Sequence, residues 1–181
     1  KLYAGQYYHF EEAYPTFLSG LHHRCADPLV RQSLLNNLWD EEHGSDNHTE
    51  LWLRFCDALG MDRATTQAGP IMAPTKTLID TYTHLTTTGP LAAGVAAIYA
   101  FESQVSEIAG IKIEGLNLYY GINDESSVSF FRVHQSLDVD HALAEQDLIT
   151  SLTPTEQEKN AAIWGGRKAS EALWQFLDGV Y

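Results

Sequence analysis

The sequence predicts an all-α fold, a bundle of about six or seven helices forming one domain over residues 1–181. Three observations predict it. Apolar residues recur at helical spacing along most of the chain, and no stretch alternates as a half-buried strand does. Helix start and stop signals punctuate that pattern at intervals suited to packed helices. The length of 181 residues is that of one domain, enough to close a substantial core.

Residues 2–20 read as an aromatic-rich helix, kinked at Pro15. Asp27-Pro28 is an N-cap followed by proline at the first helical position, and the helix it opens reaches about His43. Gly44-Ser45-Asp46-Asn47 interrupts the pattern, and a further helix runs to about Leu59, closed by Gly60. Residues 61–74, with Pro70 and Pro74, read as a loop. A helix over roughly 75–87 stops at Thr88-Gly89-Pro90. A long helix follows from Leu91 to about Tyr120, with Gly94, Gly110 and Gly115 as weak points. Asn123-Asp124 opens a helix reaching about Leu152. Thr153-Pro154-Thr155-Glu156 has capping-box spacing and starts the last helix. The sequence shows no repeat, linker or low-complexity tract.

The net charge of −13 argues against nucleic acid and anionic membranes as partners. Most of that surplus serves solubility, and part of it can be internal as metal-binding carboxylate. Cys25 and Cys56 do not make a disulfide scaffold and fit a reducing, cytoplasmic setting as buried thiols. No run of 18 apolar residues is present, so no membrane span is expected. The chain enters its first helical pattern directly at Lys1, without a Met, and is expected to lack an N-terminal helix.

Three segments place six metal-type ligands in helical patterns: Glu41 with His48, Glu102 alone, and His134, Asp138 and His141. In FFRVHQSLDVDHALAEQ the last three stand at i, i+4 and i+7, on one face of a helix. That face also carries Phe130, Phe131, Leu137 and Leu148, so it should point inward. Buried ionisable groups are costly unless compensated, and two imidazoles with a carboxylate suit iron, manganese or zinc. The competing reading is a salt-bridged structural cluster. Glu102 is centred on a stripe of Val95, Ile98, Tyr99, Val105 and Ala109; its alternative is a neutral, hydrogen-bonded core glutamate. Glu41 has Leu34 and Leu38 on its face, while Glu42 has Leu35 and Leu38, so the helical wheel leaves both open. His48 lies two turns beyond Glu41 if the helix survives Gly44; a lone histidine there would by default be structural. His43 and Glu107 read as exposed, and His9, His22, His23 and His84 as surface or packing residues. Six ligands exceed one tetrahedral zinc and fit two divalent ions about 3.5–4 Å apart.

The segments NLWDEEHGSDNHTELW, LAAGVAAIYAFESQVSEIAGIKIEGL and FFRVHQSLDVDHALAEQ resemble the CADD-like branch of the heme-oxygenase-like diiron oxidases, relatives of the TenA thiaminases and the PqqC oxidase of PQQ synthesis. The likeness spans nearly the whole chain. It implies a single heme-oxygenase-like domain of the TenA/PqqC type. It also implies the ligand set Glu41, His48, Glu102, His134, Asp138 and His141, selecting Glu41 over Glu42. The implied cofactor is Fe/Fe or Mn/Fe, with dioxygen as co-substrate and an external reductant. The implied activity is an oxidoreductase that makes para-aminobenzoate for folate biosynthesis, cleaving an internal tyrosine and taking the amino group from an internal lysine. The lysine matches Lys112, which the wheel alone would not choose: it lies about 15 Å along the axis from Glu102 and about 80° around it. Tyr3 matches a tyrosine near the family's site, a relay residue, with Tyr7 and Tyr8 as alternatives. The sacrificial tyrosine maps upstream of Lys1, and Phe101 stands where the family can carry a tyrosine. A homodimer is implied by family. The alternatives are a diiron oxidase acting on an external fatty acid or amine, and a non-enzymatic death-domain interaction module. A TenA-like thiaminase needs a cysteine nucleophile, and neither Cys25 nor Cys56 lies in the ligand segments.

Overall fold

In the computed structural model the backbone is described for residues 1–181, and the side chains for all but residues 136–141. The described backbone forms eight α-helices: α1 (Leu2–Arg24), α2 (Pro28–Glu42), α3 (His48–Ala58), α4 (Arg63–Gln67), α5 (Ala73–Thr87), α6 (Leu91–Gly115), α7 (Glu125–Leu152) and α8 (Glu156–Val180). A π-helical turn, Leu116–Tyr120, follows α6. No strand interrupts them, as the periodicity predicts.

The differences from expectation are local. Residues 61–74 are not all loop: Asp62 accepts from the Thr65 N–H and nucleates the short α4. α1 continues past residue 20 to Arg24, because its guanidinium reaches the Thr86 and Gly89 carbonyls at the turn before α6 and ties the helix end down. The expected helix to Tyr120 leaves α geometry after Gly115 and ends at Gly121 in the left-handed region, φ 68°. The capping box of α8 is formed by Thr155 and Glu158, two residues beyond the expected Thr153 and Glu156. Asp27, Asn47 and Asp124 cap α2, α3 and α7 with their side chains.

α6 is the central helix. It packs along α7 on one side and α8 on the other, while α1 lies against α2 and α5. The α6–α8 crossing is close because small residues meet there: a methyl group at Gly165 would run into the Ala93 backbone. The opposite side of the bundle is filled by aromatic rings from α1, α3 and α7, with Tyr7 and Trp52 ring centroids 4.4 Å apart and Trp52 and Phe130 4.7 Å apart. Trp52 donates its indole N–H to the Ala4 carbonyl. Gln6 pins α1 to the segment before α5: it donates to the Pro70 carbonyl and accepts from the Met72 N–H and the Thr75 hydroxyl. Cys25 and Cys56 are free and buried, and burial pushes the Cys56 thiol up to about 11. Among the described residues no helix is long and apolar enough to cross a membrane.

Candidate metal centre

Where α1, α2, α3, α6 and α7 converge, the interior carries charge. Glu11, Glu41, His48, Glu102 and His134 are each no more than 6% exposed. Glu42, by contrast, is exposed, as is His43, so of the two acids at the end of α2 it is Glu41 that faces the interior.

Glu41 and His48 are not on one continuous helix. α2 ends at Glu42, the chain turns through Gly44 at φ 80°, and His48 is the first residue of α3. The turn achieves what an unbroken helix would not guarantee: His48 Nδ1 lies 2.8 Å from Glu41 Oε2. That distance suits a hydrogen bond, yet the two groups are not aligned for one. Close approach without a donor-to-acceptor direction is the arrangement of two ligands converging on a common point, since ligands about 2.1 Å from one ion at right angles are about 3 Å apart. Burial holds His48 below the usual histidine range against the pull of Glu11, Glu102 and Asp40, so the ring is neutral at pH 7 and able to bind metal. Burial, reinforced by Glu102, Asp40 and Glu42, pushes Glu41 well above the carboxylate range.

His134 is oriented by its own helix. Its Nδ1 lies 2.7 Å from the Phe130 carbonyl, which can only accept, so Nδ1 carries the proton and Nε2 the lone pair. Its ring stands 4.4 Å from that of His48. Glu102 is held from two helices: the Tyr14 hydroxyl donates to Oε1 at 2.6 Å, and Asn37 Nδ2 donates to both oxygens at 2.9 and 3.1 Å. Burial and the neighbouring Glu102 keep the Tyr14 hydroxyl protonated, hence a donor.

Glu11, absent from the sequence-derived set, joins this group. Ligand atoms of Glu11, His48 and His134 all lie within 4.8 Å of one another. Burial, then the charge of Glu41, raises Glu11 to about 8. The same wheel test that finds Glu102 would have found it: Tyr7, Tyr14 and Leu18, at i−4, i+3 and i+7, are all buried. Glu145, one turn past His141 on the stripe of α7, is likewise buried and was also missed. Asp138 and His141 lie outside the residues whose side chains are described.

Beside the centre is a cavity of about 160 Å³. Its wall includes His134, Phe101, Phe130, Phe131, Tyr7, Tyr3 and Lys112. Lys112 Nζ donates to the Tyr3 hydroxyl at 2.6 Å, so the long side chain overcomes its poor position on the wheel. It also lies 5.6 Å from the Phe131 ring centre. An apolar cavity of about 150 Å³ admits benzene, so this one has the size of a single aromatic ring.

A family model described as iron-containing redox enzyme matches residues 1–175. The chain is 40% identical to a 4-aminobenzoate synthase of Nitrosomonas europaea, over 99% of this chain and 76% of that protein. It is 38% identical to a 4-aminobenzoate synthase of Chlamydia trachomatis, over 97% of this chain and 75% of that protein. A solved domain of unknown function with a heme oxygenase-like fold from Shewanella denitrificans superposes with a TM-score of 0.80 at 17% identity, covering 99% of this chain and 75% of that one. At that identity the superposition speaks for the fold alone.

Proposed function

The chain belongs to the family of iron-containing redox enzymes and is an oxidoreductase, and from that premise we propose that it makes 4-aminobenzoate, with Lys112 supplying the amino group and an internal tyrosine the ring. The observation that carries the reading is the shared wall: His134 of the metal centre and the Lys112–Tyr3 pair line one ring-sized cavity. Two relatives with 4-aminobenzoate synthase activity by name, alike over nearly all of this chain, support it.

The donor set fits metal. It combines neutral imidazoles with buried carboxylates, and His48 and Glu41 face each other without hydrogen-bond alignment. Glu41, His48, Glu102 and His134 would hold two ions, Fe/Fe or Mn/Fe, with Asp138 and His141 completing the set. When bound, such a pair supplies activation of dioxygen. The chain's own residues do the rest. Tyr14 and Asn37 fix the orientation of Glu102. The Phe130 carbonyl fixes the tautomer of His134. The aromatic residues of the wall offer a ring an apolar surface to lie against. Tyr3 accepts a hydrogen bond from Lys112 and so holds the amine at the cavity wall.

The test is incubation of the full-length protein with Fe(II), alone and with Mn(II), a reductant and dioxygen, followed by mass spectrometry. The expected result is 4-aminobenzoate in solution and a matching loss of mass at a tyrosine, with Lys112→Met abolishing product. Oxygen consumption that depends on an added fatty acid or amine, with no mass change in the protein, would instead establish an oxidase of an external substrate.

A further inference from the structure

The six-position pattern leaves out two buried acids, Glu11 and Glu145, and among the described residues Glu11 lies with the ligand atoms of His48 and His134. It sits on α1, which contributes none of the six. Its side chain is 3% exposed, and its Oε1 has no hydrogen-bond donor among the described residues. Tyr14 on the same helix gives its proton to Glu102 instead. Lys112, the cation that acts on Glu11 from α6, spends its short contact on the Tyr3 hydroxyl. A carboxylate this deep without a protein donor calls for a cation beside it. The neighbours it has are two imidazoles, His48 and His134, with all three sets of ligand atoms inside 4.8 Å. Ligands on opposite sides of one ion, each about 2.1–2.2 Å away, are about 4.2–4.4 Å apart, so a shift of a few tenths of an ångström closes the set on a common ion.

We infer that Glu11 is a further metal ligand of this chain, sharing an ion with His48 and His134. The inference rests on the metal-centre reading above and deepens it. Glu11 adds an anionic oxygen to a centre that already holds the buried carboxylates Glu41 and Glu102.

The competing role for Glu11 is that of a protonated core residue. Glu11→Gln separates the two, because glutamine keeps the shape and the capacity to donate but cannot be an anionic ligand. The metal-stripped full chain, wild type and variant, is titrated with Mn2+ alone without oxygen, following bound Mn2+ by calorimetry and electron paramagnetic resonance. Wild type is expected to take up two ions. In Glu11→Gln one of them should bind at least about 10-fold more weakly, with an altered resonance signal, and Glu11→Asp, which keeps the charge, should recover part of the loss. Melting of the metal-free Glu11→Gln protein at or above the wild-type temperature shows that the loss is not one of folding. Two ions bound equally well by wild type and Glu11→Gln would overturn the role of Glu11 and leave the centre standing. A wild-type chain that takes up no Mn2+ would overturn both.

Discussion

The two halves of α6 show how differently one helix can be buried. From Ala92 to Ile98 every residue is buried, and every one is small or apolar. Here the helix is a packing surface: Gly94 lies against Leu21 and Leu85, and Ala93 receives Gly165 of α8. From Phe101 to Lys112 the same helix faces charge and open space. Glu102 is as deeply buried as the alanines, yet it is held by hydrogen bonds from Tyr14 and Asn37, and a cavity opens beside Ala109 and Lys112. The first half gains stability from contact. The second retains ionisable groups that burial disfavours, which is what a site built for a cation requires.

The comparison breaks most sharply at the charged half. His134→Ala should cost iron content and product formation by more than about 100-fold, beyond what loss of a supporting hydrogen bond does. Elemental analysis and product assay check this, and melting of the metal-free variant should stay near wild type. Tyr14→Phe, which removes only the donor to Glu102, should weaken metal binding by about 10–100-fold. Retention of full affinity would mean that Asn37 alone orients Glu102. At the packed half the effect should fall on stability instead. Gly165→Ala forces a methyl into the Ala93 backbone, and the helices must separate at a cost of about 1–3 kcal/mol, or roughly 2–12 °C of melting temperature. Activity per folded molecule should not change.

The smallest effect sharpens the contrast through pH. Glu11 is raised from an ordinary 4.5 to about 8 by burial and by Glu41, and Glu41 is raised as well. Across that interval the folded, metal-free protein keeps protons that the unfolded chain has released. Its stability contribution is therefore full below about 4.5 and is lost as pH rises toward about 8. Metal-stripped protein should melt higher at pH 5.5 than at pH 8. Saturating divalent metal should remove or reverse that slope, because metal competes with protons for the same oxygens.

Much of this was legible in the chain because it depends on spacing. The caps Asp27, Asn47 and Asp124, the stop at Gly60, and the inward faces of Glu102 and His134 all follow from positions a few residues apart. The short α4 follows from one cap, Asp62, on too few residues to show a period, and the capping box shifts because Thr155–Glu158 repeats the spacing of Thr153–Glu156. Glu11 and Glu145 also sit on buried stripes, but periodicity gives each acid only a face, and which buried acids meet depends on how their helices cross.

By itself the sequence determined the long helices and most of their inward faces, since helical periodicity is a local property with a period of 3.6 residues. Only the tertiary structure decided that Glu41 meets His48 across a broken turn, and that Tyr14 and Asn37 reach Glu102 from 88 and 65 positions away. It also decided that Lys112 finds Tyr3 across 109 positions. Those meetings depend on how helices cross. Crossing is set by side-chain volumes such as the glycines and alanines of α6 and α8, which carry no ligand chemistry of their own.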